Sequence, residues 1–152
     1  MRRRWLFLLG LLCVGLVEAA AANAETLITA SEVALPTLGL LTTTTPIRGV
    51  SLRPEAEPIP ALKPGEVVTS PMAFRIKFTA HGGATIDPAS VKVTYCKVPA
   101  VDLTPRLAKY ISAAGIDMPD AEIPPGRHLI LVEVKDSHGA SGGRYVTLIV
   151  GR

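Results

Sequence analysis

Between Met72 and Ala80 the chain alternates: Met72, Phe74, Ile76 and Phe78 are large and apolar, while Arg75, Lys77 and Thr79 between them are polar. Successive side chains of a strand point to opposite faces, so a period of two gives this stretch one buried face only if it is extended. A helix would scatter the same residues around its circumference. The pattern recurs: Val91, Val93 and Tyr95 alternate with Lys92, Thr94 and Cys96, which puts Cys96 on the outward face of a second strand. A third strand is expected over 128–135. There His128, Ile130, Val132 and Val134 share one face while Leu129 and Leu131 begin the other, and apolar residues on both faces imply cover on both sides. Residues 144–150 read as the last strand.

Turn chemistry separates these runs. Gly82-Gly83 and Asp87-Pro88 stand before the second strand, Pro124-Pro125-Gly126 before the third, and Asp136-Ser137-His138-Gly139 opens a loop that runs to Gly143. Only 102–115 changes period. Thr104 can cap a helix, Pro105 suits its first position, and Leu103, Leu107, Tyr110, Ile111 and Ala114 recur at three- and four-residue spacing before Gly115. The spacing predicts one amphipathic helix of about three turns over 104–114. Asp117, Asp120 and Glu122 then fall in a solvated loop.

The amino terminus reads differently. Arg2, Arg3 and Arg4 precede an apolar run from Trp5 to Val17, and small residues lead to Ala22-Asn23-Ala24. A basic start, a short apolar middle and an A-x-A exit form the pattern of a cleaved secretory signal, so the mature chain is expected to begin at Glu25, in the periplasm or medium. Leu12 before Cys13 does not suit acylation, and the Leu-rich middle favours the general secretory route over the twin-arginine one. Past the leader no second apolar run is long enough to span a bilayer, so no stable membrane insertion is expected. Removing Arg2, Arg3, Arg4 and Glu18 from 16 basic and 13 acidic residues leaves 13 and 12. That near-neutral balance gives no warrant for nucleic-acid binding. Cys96 is left as the single thiol and cannot form an intramolecular bridge.

From 26 to 64 the chain holds six prolines (36, 46, 54, 58, 60 and 64) and the tract Thr42 to Thr45. Proline removes main-chain donors and restrains its predecessor, so this region is expected to be an irregular arm, with a turn of helix near 31–35 and an edge strand near 49–53. The expected organisation is a signal peptide at 1–24, an arm at 25–65 and one β domain at 66–152. Several short strands with turns between them suggest a small antiparallel sandwich.

Three stretches then carry a resemblance: Ile86-Asp87-Pro88-Ala89-Ser90-Val91-Lys92-Val93, Ile123-Pro124-Pro125-Gly126-Arg127-His128, and 132–139 with its Val-x-Asp-x-x-Gly close. In this order they resemble the bacterial immunoglobulin-like domains of exported and surface proteins, over roughly residues 70–150. The resemblance implies an immunoglobulin-like β-sandwich with one inserted helix. It departs from antibody-type domains, since the paired cysteines and buried tryptophan of those domains are missing.

Chemistry-bearing residues do not converge in the sequence. Gly139-Ala140-Ser141-Gly142-Gly143 fits G-x-S-x-G, but a nucleophile elbow needs a helix after it and an acid and a histidine downstream, and none follows Ser141. His81, Cys96, Asp87, Asp136 and His138 show no metal-ligand spacing. Tyr110 and Tyr145 are the only tyrosines placed to act as sugar platforms. No catalytic, cofactor or metal residue is assigned. The expected function is an exported, non-catalytic binding or accessory module of the bacterial envelope, meeting a protein partner through the helix, the Leu129 and Leu131 face or the arm, with self-association through strand addition as one form of it. The alternative is a periplasmic metal-binding or redox protein using Cys96 and the histidines.

Overall fold

The computed structural model describes residues 24–38, 54–60, 63 and 65–152. Residues 1–23 of the expected leader, the Thr42 to Thr45 tract and the edge strand expected at 49–53 lie outside the described residues. The fold is mainly β, in two facing sheets. Its strands are β1 (Glu25–Thr26), β2 (Glu55–Pro58), β3 (Val67–Val68), β4 (Met72–Thr79), β5 (Lys92–Tyr95), β6 (Val101–Asp102), β7 (Ile111–Ser112), β8 (Gly115–Glu122), β9 (Gly126–Lys135) and β10 (Ser141–Val150). Helices α1 (Ala30–Val33) and α2 (Thr104–Leu107) are single turns. The first sheet runs β1-β8-β4-β2, with β7 also on β8, and the second runs β3-β10-β9-β5-β6.

The alternating segments are strands with the faces their patterns dictate. Phe74, Ile76 and Phe78 of β4 and Ile116, Met118 and Ala121 of β8 point inward from the first sheet. Val93 and Tyr95 of β5, Ile130, Val132 and Val134 of β9, and Val146, Leu148 and Val150 of β10 meet them from the second. Each buried valine, leucine, isoleucine, methionine or phenylalanine among them contributes about 1.5–3 kcal/mol, and among the described residues no disulfide supplements this core. The Asp136 turn is explained by its hydrogen bonds: Oδ1 accepts from the N–H groups of His138 (3.0 Å) and Ala140 (2.9 Å), and Gly139, at φ +82°, reverses the chain into β10.

Four expectations are corrected. The helix stops early: α2 gives way to a 3-10 turn at Ala108–Tyr110 and then to β7, which folds back on β8. Leu103 and Leu107 are buried as the helical spacing requires, but Phe78 N–H reaches Ala114 C=O at 2.9 Å, and pairing with the sheet overrides local helix preference. The loop expected to carry Asp117, Asp120 and Glu122 is β8, an inner strand of the first sheet. Pro119 is tolerated because it falls beside the irregularity on β4 between Met72 and Phe74. Cys96 is buried, since residues 36–38 run antiparallel beside it: Leu38 N–H donates to Cys96 C=O and Thr37 bridges Lys97.

The fourth concerns the arm. Leu27 and Ile28 are fully buried in the core, β1 adds to β8 in parallel, and β2 and β3 are edge strands of the two sheets. Proline content disguised this. A strand of two to four residues at a sheet edge leaves one side unpaired, and Pro58, at the end of β2, has room there.

Candidate interaction surface

The two outward faces differ in chemistry. On the first sheet Arg75 Nε meets Asp117 Oδ1 at 2.7 Å, and Glu57 stands in register with Lys77. This face is charged and balanced, as a solvated face should be. On the second sheet the middle of the outward face of β9 and β10 carries Leu129, Leu131, Tyr145, Thr147 and Ile149, with Tyr145 directly opposite Leu131 and Thr147 opposite Leu129, and Arg127, Glu133 and Lys135 of β9 share that face on either side. Val67 of β3 continues the row beside Ile149. Tyr145 is 53% and Val67 61% exposed, while Leu129 and Leu131 are half-buried. The sequence implied cover over Leu129 and Leu131. Among the described residues no strand or helix supplies it.

A groove of about 360 Å³ opens at the margin of this face, with Pro58, Lys63, Gly65 and Glu66 across from β10. Tyr145, Thr147 and Ile149 form one wall, and Arg127, Arg144 and Lys63 reach it. Arg144 Nη1 lies 3.3 Å from Glu57 Oε1, and Glu66, also at the groove, accepts from the Lys63 N–H at 2.9 Å. Arg127 has no hydrogen bond or ion pair among the described residues.

Elsewhere the polar residues serve the fold. Arg106 donates from Nη2 to Glu32 Oε1 (2.6 Å) and from Nη1 to Glu32 Oε2 (2.9 Å) and to the Leu27 carbonyl (2.7 Å), fixing α2 against the N-terminal segment. The guanidinium holds the Glu32 carboxyl down to about 2. Thr29 and Glu32 also form a reciprocal capping box on α1. At the other end of α1, Lys97 Nζ donates to the carbonyls of Val33 (2.9 Å) and Leu35 (3.0 Å) and to Thr37 Oγ1 (3.3 Å), and sits 5.4 Å from the Tyr95 ring centre. A buried ammonium is thereby satisfied. Beneath it Tyr95 Oη and His128 Nδ1 are 3.0 Å apart, and His128 Nε2 is 2.8 Å from the Pro124 carbonyl. The carbonyl requires a proton on Nε2, so Nδ1 accepts from the tyrosine hydroxyl. Burial pushes the His128 pKa down and the Tyr95 pKa up.

The candidates for chemistry stay apart. Asp87 caps the 3-10 turn Pro88–Ser90, its Oδ1 accepting from Ala89 N–H. His81 Nε2 stands 3.7 Å from Glu55 Oε1, whereas His138 is exposed in the β9–β10 turn and Cys96 lies beyond the end of β5. Burial raises the Cys96 pKa. Among the described residues no three of His, Cys, Asp and Glu gather to hold a metal ion. Ser141 opens β10 with strands on both sides of its turn. Of the two tyrosines, Tyr110 donates to Glu25 Oε2 (2.9 Å) and Tyr145 alone remains an exposed ring. The groove was missed because its cations, Lys63, Arg127 and Arg144, are far apart in sequence. The chain matches no protein-family model, no curated protein and no solved structure.

Proposed function

We propose that this chain is an exported, non-catalytic binding module of the bacterial envelope, built on an immunoglobulin-like sandwich, and that a protein partner docks on the outward face of its second sheet. Several features support the fold reading. The order β2-β4-β8 facing β10-β9-β5 is that of the A-B-E and G-F-C strands of such domains, and the chain leaves the first sheet at β2 to join β10 in parallel as β3. The leader pattern supports export.

The observation that carries the function is the contrast between the faces: one bears the Arg75–Asp117 ion pair with Glu57 and Lys77 in register, the other a central row of Leu129, Leu131, Tyr145, Ile149 and Val67. Apolar residues aligned on one face, rimmed by charge, mark a docking surface more than a solvated one. Placing a photo-cross-linking amino acid at Leu131, and in a separate variant at Lys77 on the opposite face, tests this in the native envelope. A discrete adduct from position 131 that position 77 does not give, and that Tyr145→Asp abolishes, is the expected result. Equal or absent adducts overturn it. Light scattering of the purified protein separates a second copy from a different protein as the occupant.

A further inference from the structure

Lys97, His128 and Asp136 are the buried polar and charged side chains among the described residues, and the first two share one aromatic ring. The His128 and Tyr95 rings lie 5.7 Å apart, centre to centre, and Lys97 Nζ stands 5.4 Å from the same tyrosine centre. Both imidazole nitrogens are committed: Nε2 donates to the Pro124 carbonyl at 2.8 Å, and Nδ1 accepts from the Tyr95 hydroxyl at 3.0 Å. A further proton can therefore enter only at Nδ1. There it obliges the hydroxyl hydrogen to find another acceptor, and it places a second positive charge near Lys97 where water is scarce.

The surroundings do not offset that charge. β10 presents Leu148 opposite His128, the turn before β9 presents the Pro124 carbonyl and Gly126, and β5 presents Tyr95. Beyond β5 come Cys96, whose thiol burial keeps neutral, and Lys97 itself. From α1 the Glu32 carboxylate bears on Tyr95, but Arg106 of α2 already pairs with it. Burial first, and then the Lys97 ammonium, favour the neutral imidazole against the pull of the Pro124 carbonyl.

Of the two basic side chains only Lys97 can leave. His128 belongs to β9, which is paired on both sides, by β10 and by β5. Lys97 lies past the end of β5 on a flexible stem, and its three acceptors, the Val33 and Leu35 carbonyls and Thr37 Oγ1, all belong to the N-terminal segment. That segment adds two main-chain bonds there, Leu38 N–H to Cys96 C=O at 3.4 Å and Val98 N–H to Pro36 C=O at 2.9 Å.

We propose that His128 and Lys97 form an acid-sensitive latch: protonation of the imidazole drives the Lys97 ammonium out to water and lets residues 33–38 lift from the chain at 96–98 while the sandwich stays folded. The latch is separate from the docking face and does not depend on it. The docked state holds His128 neutral, and release returns it toward its ordinary 6.5, so the released fraction grows as the pH falls below about 6.5 and is negligible above about 7.5. Glu32 titrates at about 2 and stays paired with Arg106 over this range, so the hold on residues 27–32 is kept. Release uncovers the Cys96 thiol and the main-chain groups of Cys96 and Val98.

The test follows amide hydrogen exchange of the purified protein between about pH 7.5 and 5, each rate divided by that of the unfolded chain at the same pH. Protection at Leu35, Leu38 and Val98 is expected to fall several-fold, with a ceiling of about thirtyfold at pH 5 set by an imidazole of ordinary pKa. Exchange at these amides should be unmoved by about 1 M urea, which speeds it in β9 and β10, because a local opening exposes little surface. In His128→Phe protection should stay high at every pH. Lys97→Met, a second variant that decides the matter if His128→Phe does not fold, should already be poorly protected at pH 7.5 and show a smaller step. Constant protection in the unaltered protein, a step that persists in His128→Phe or is undiminished in Lys97→Met, or urea sensitivity equal to that of β9 overturns the latch.

Discussion

Arg106 grips Glu32 with two guanidinium nitrogens, at 2.6 and 2.9 Å, and joins the single turn of α2 to the single turn of α1 across 74 residues of sequence. Neither helix is long enough to be stable alone, so each is held by what it docks against. Glu32 is also the acceptor for the Thr29 N–H at 2.8 Å. One carboxylate therefore caps a helix and anchors the segment that puts Leu27 and Ile28 into the core.

Breaking that grip should loosen the N-terminal segment before the sandwich. Glu32→Gln keeps the shape and removes the charge, and it is expected to cost about 1–3 kcal/mol, because Arg106 is left partly buried without its counter-ion. Hydrogen exchange should rise at residues 27–35 and remain slow in β9 and β10. The folded carboxyl titrates at about 2 against an ordinary 4.5, so its contribution is complete above about 4.5 and is lost as the pH falls toward 2. In Glu32→Gln that portion of the acid dependence should vanish.

His128 sets a second pH limit, higher up. Burial holds its folded pKa below the ordinary 6.5, so in acid the unfolded chain takes up a proton that the folded chain refuses. Stability should be level above about pH 7 and decline as the pH drops below 6.5, which urea denaturation at pH 8, 6.5 and 5.5 will show. His128→Phe abolishes this decline, yet it should lower stability at pH 8 by about 1–3 kcal/mol, since Tyr95 Oη and the Pro124 carbonyl lose their partner.

Period was the legible property of this sequence: it located β4, β5 and β9 with their buried faces, while the last strand was expected at 144–150 without a face and β10 begins earlier, at Ser141, where the glycines had suggested a loop. What period did not carry were pairings decided at a distance. Ile111 fits a helical stripe and fits β7 equally well, and the choice was made by β8, which the sequence cannot place because Pro119 interrupts it. Leu27 and Ile28 are two apolar residues in a proline-rich stretch, too few to show a period, and their burial depends on Arg106 and Lys97 far downstream. The Leu129 and Leu131 face was legible as unusual. The groove beside it was not, since Lys63, Arg127 and Arg144 are brought together from distant parts of the sequence.

Two glycines are fixed by close approach, and substitution should separate them from the open ones. A Cβ on Gly115, at φ +152°, would run into the Ile76 carbonyl, and one on Gly142 into the Pro54 carbonyl. Main chain cannot yield as a flexible side chain does, so Gly115→Ala and Gly142→Ala are each expected to cost about 3 kcal/mol or more, or to prevent folding. Gly83→Ala, at φ +78° with nothing within 4 Å, carries the conformational cost alone and should lose about 1 kcal/mol. Equal losses at positions 83 and 142 would show that the approach of Pro54 to β10 does not constrain the fold.

Cys96 reports on the same N-terminal segment. Its thiol is buried and its pKa raised by that burial, and the chain at Pro36 to Leu38 lies against it through the Val98 N–H to Pro36 C=O and Leu38 N–H to Cys96 C=O bonds. Only an exposed thiolate can attack a disulfide reagent, expelling the reagent's own thiolate, so labelling of the native protein should run at least about tenfold slower than in denaturant. The rate then measures how often residues 36–38 lift away. Lys97→Met removes the ammonium that holds Val33, Leu35 and Thr37, and should speed labelling several-fold without changing the urea midpoint in proportion. Glu32→Gln should act in the same direction from the opposite end of α1. If both variants leave the labelling rate unchanged while lowering global stability, Cys96 is uncovered only by complete unfolding, and the N-terminal segment is as firmly part of the sandwich as β9.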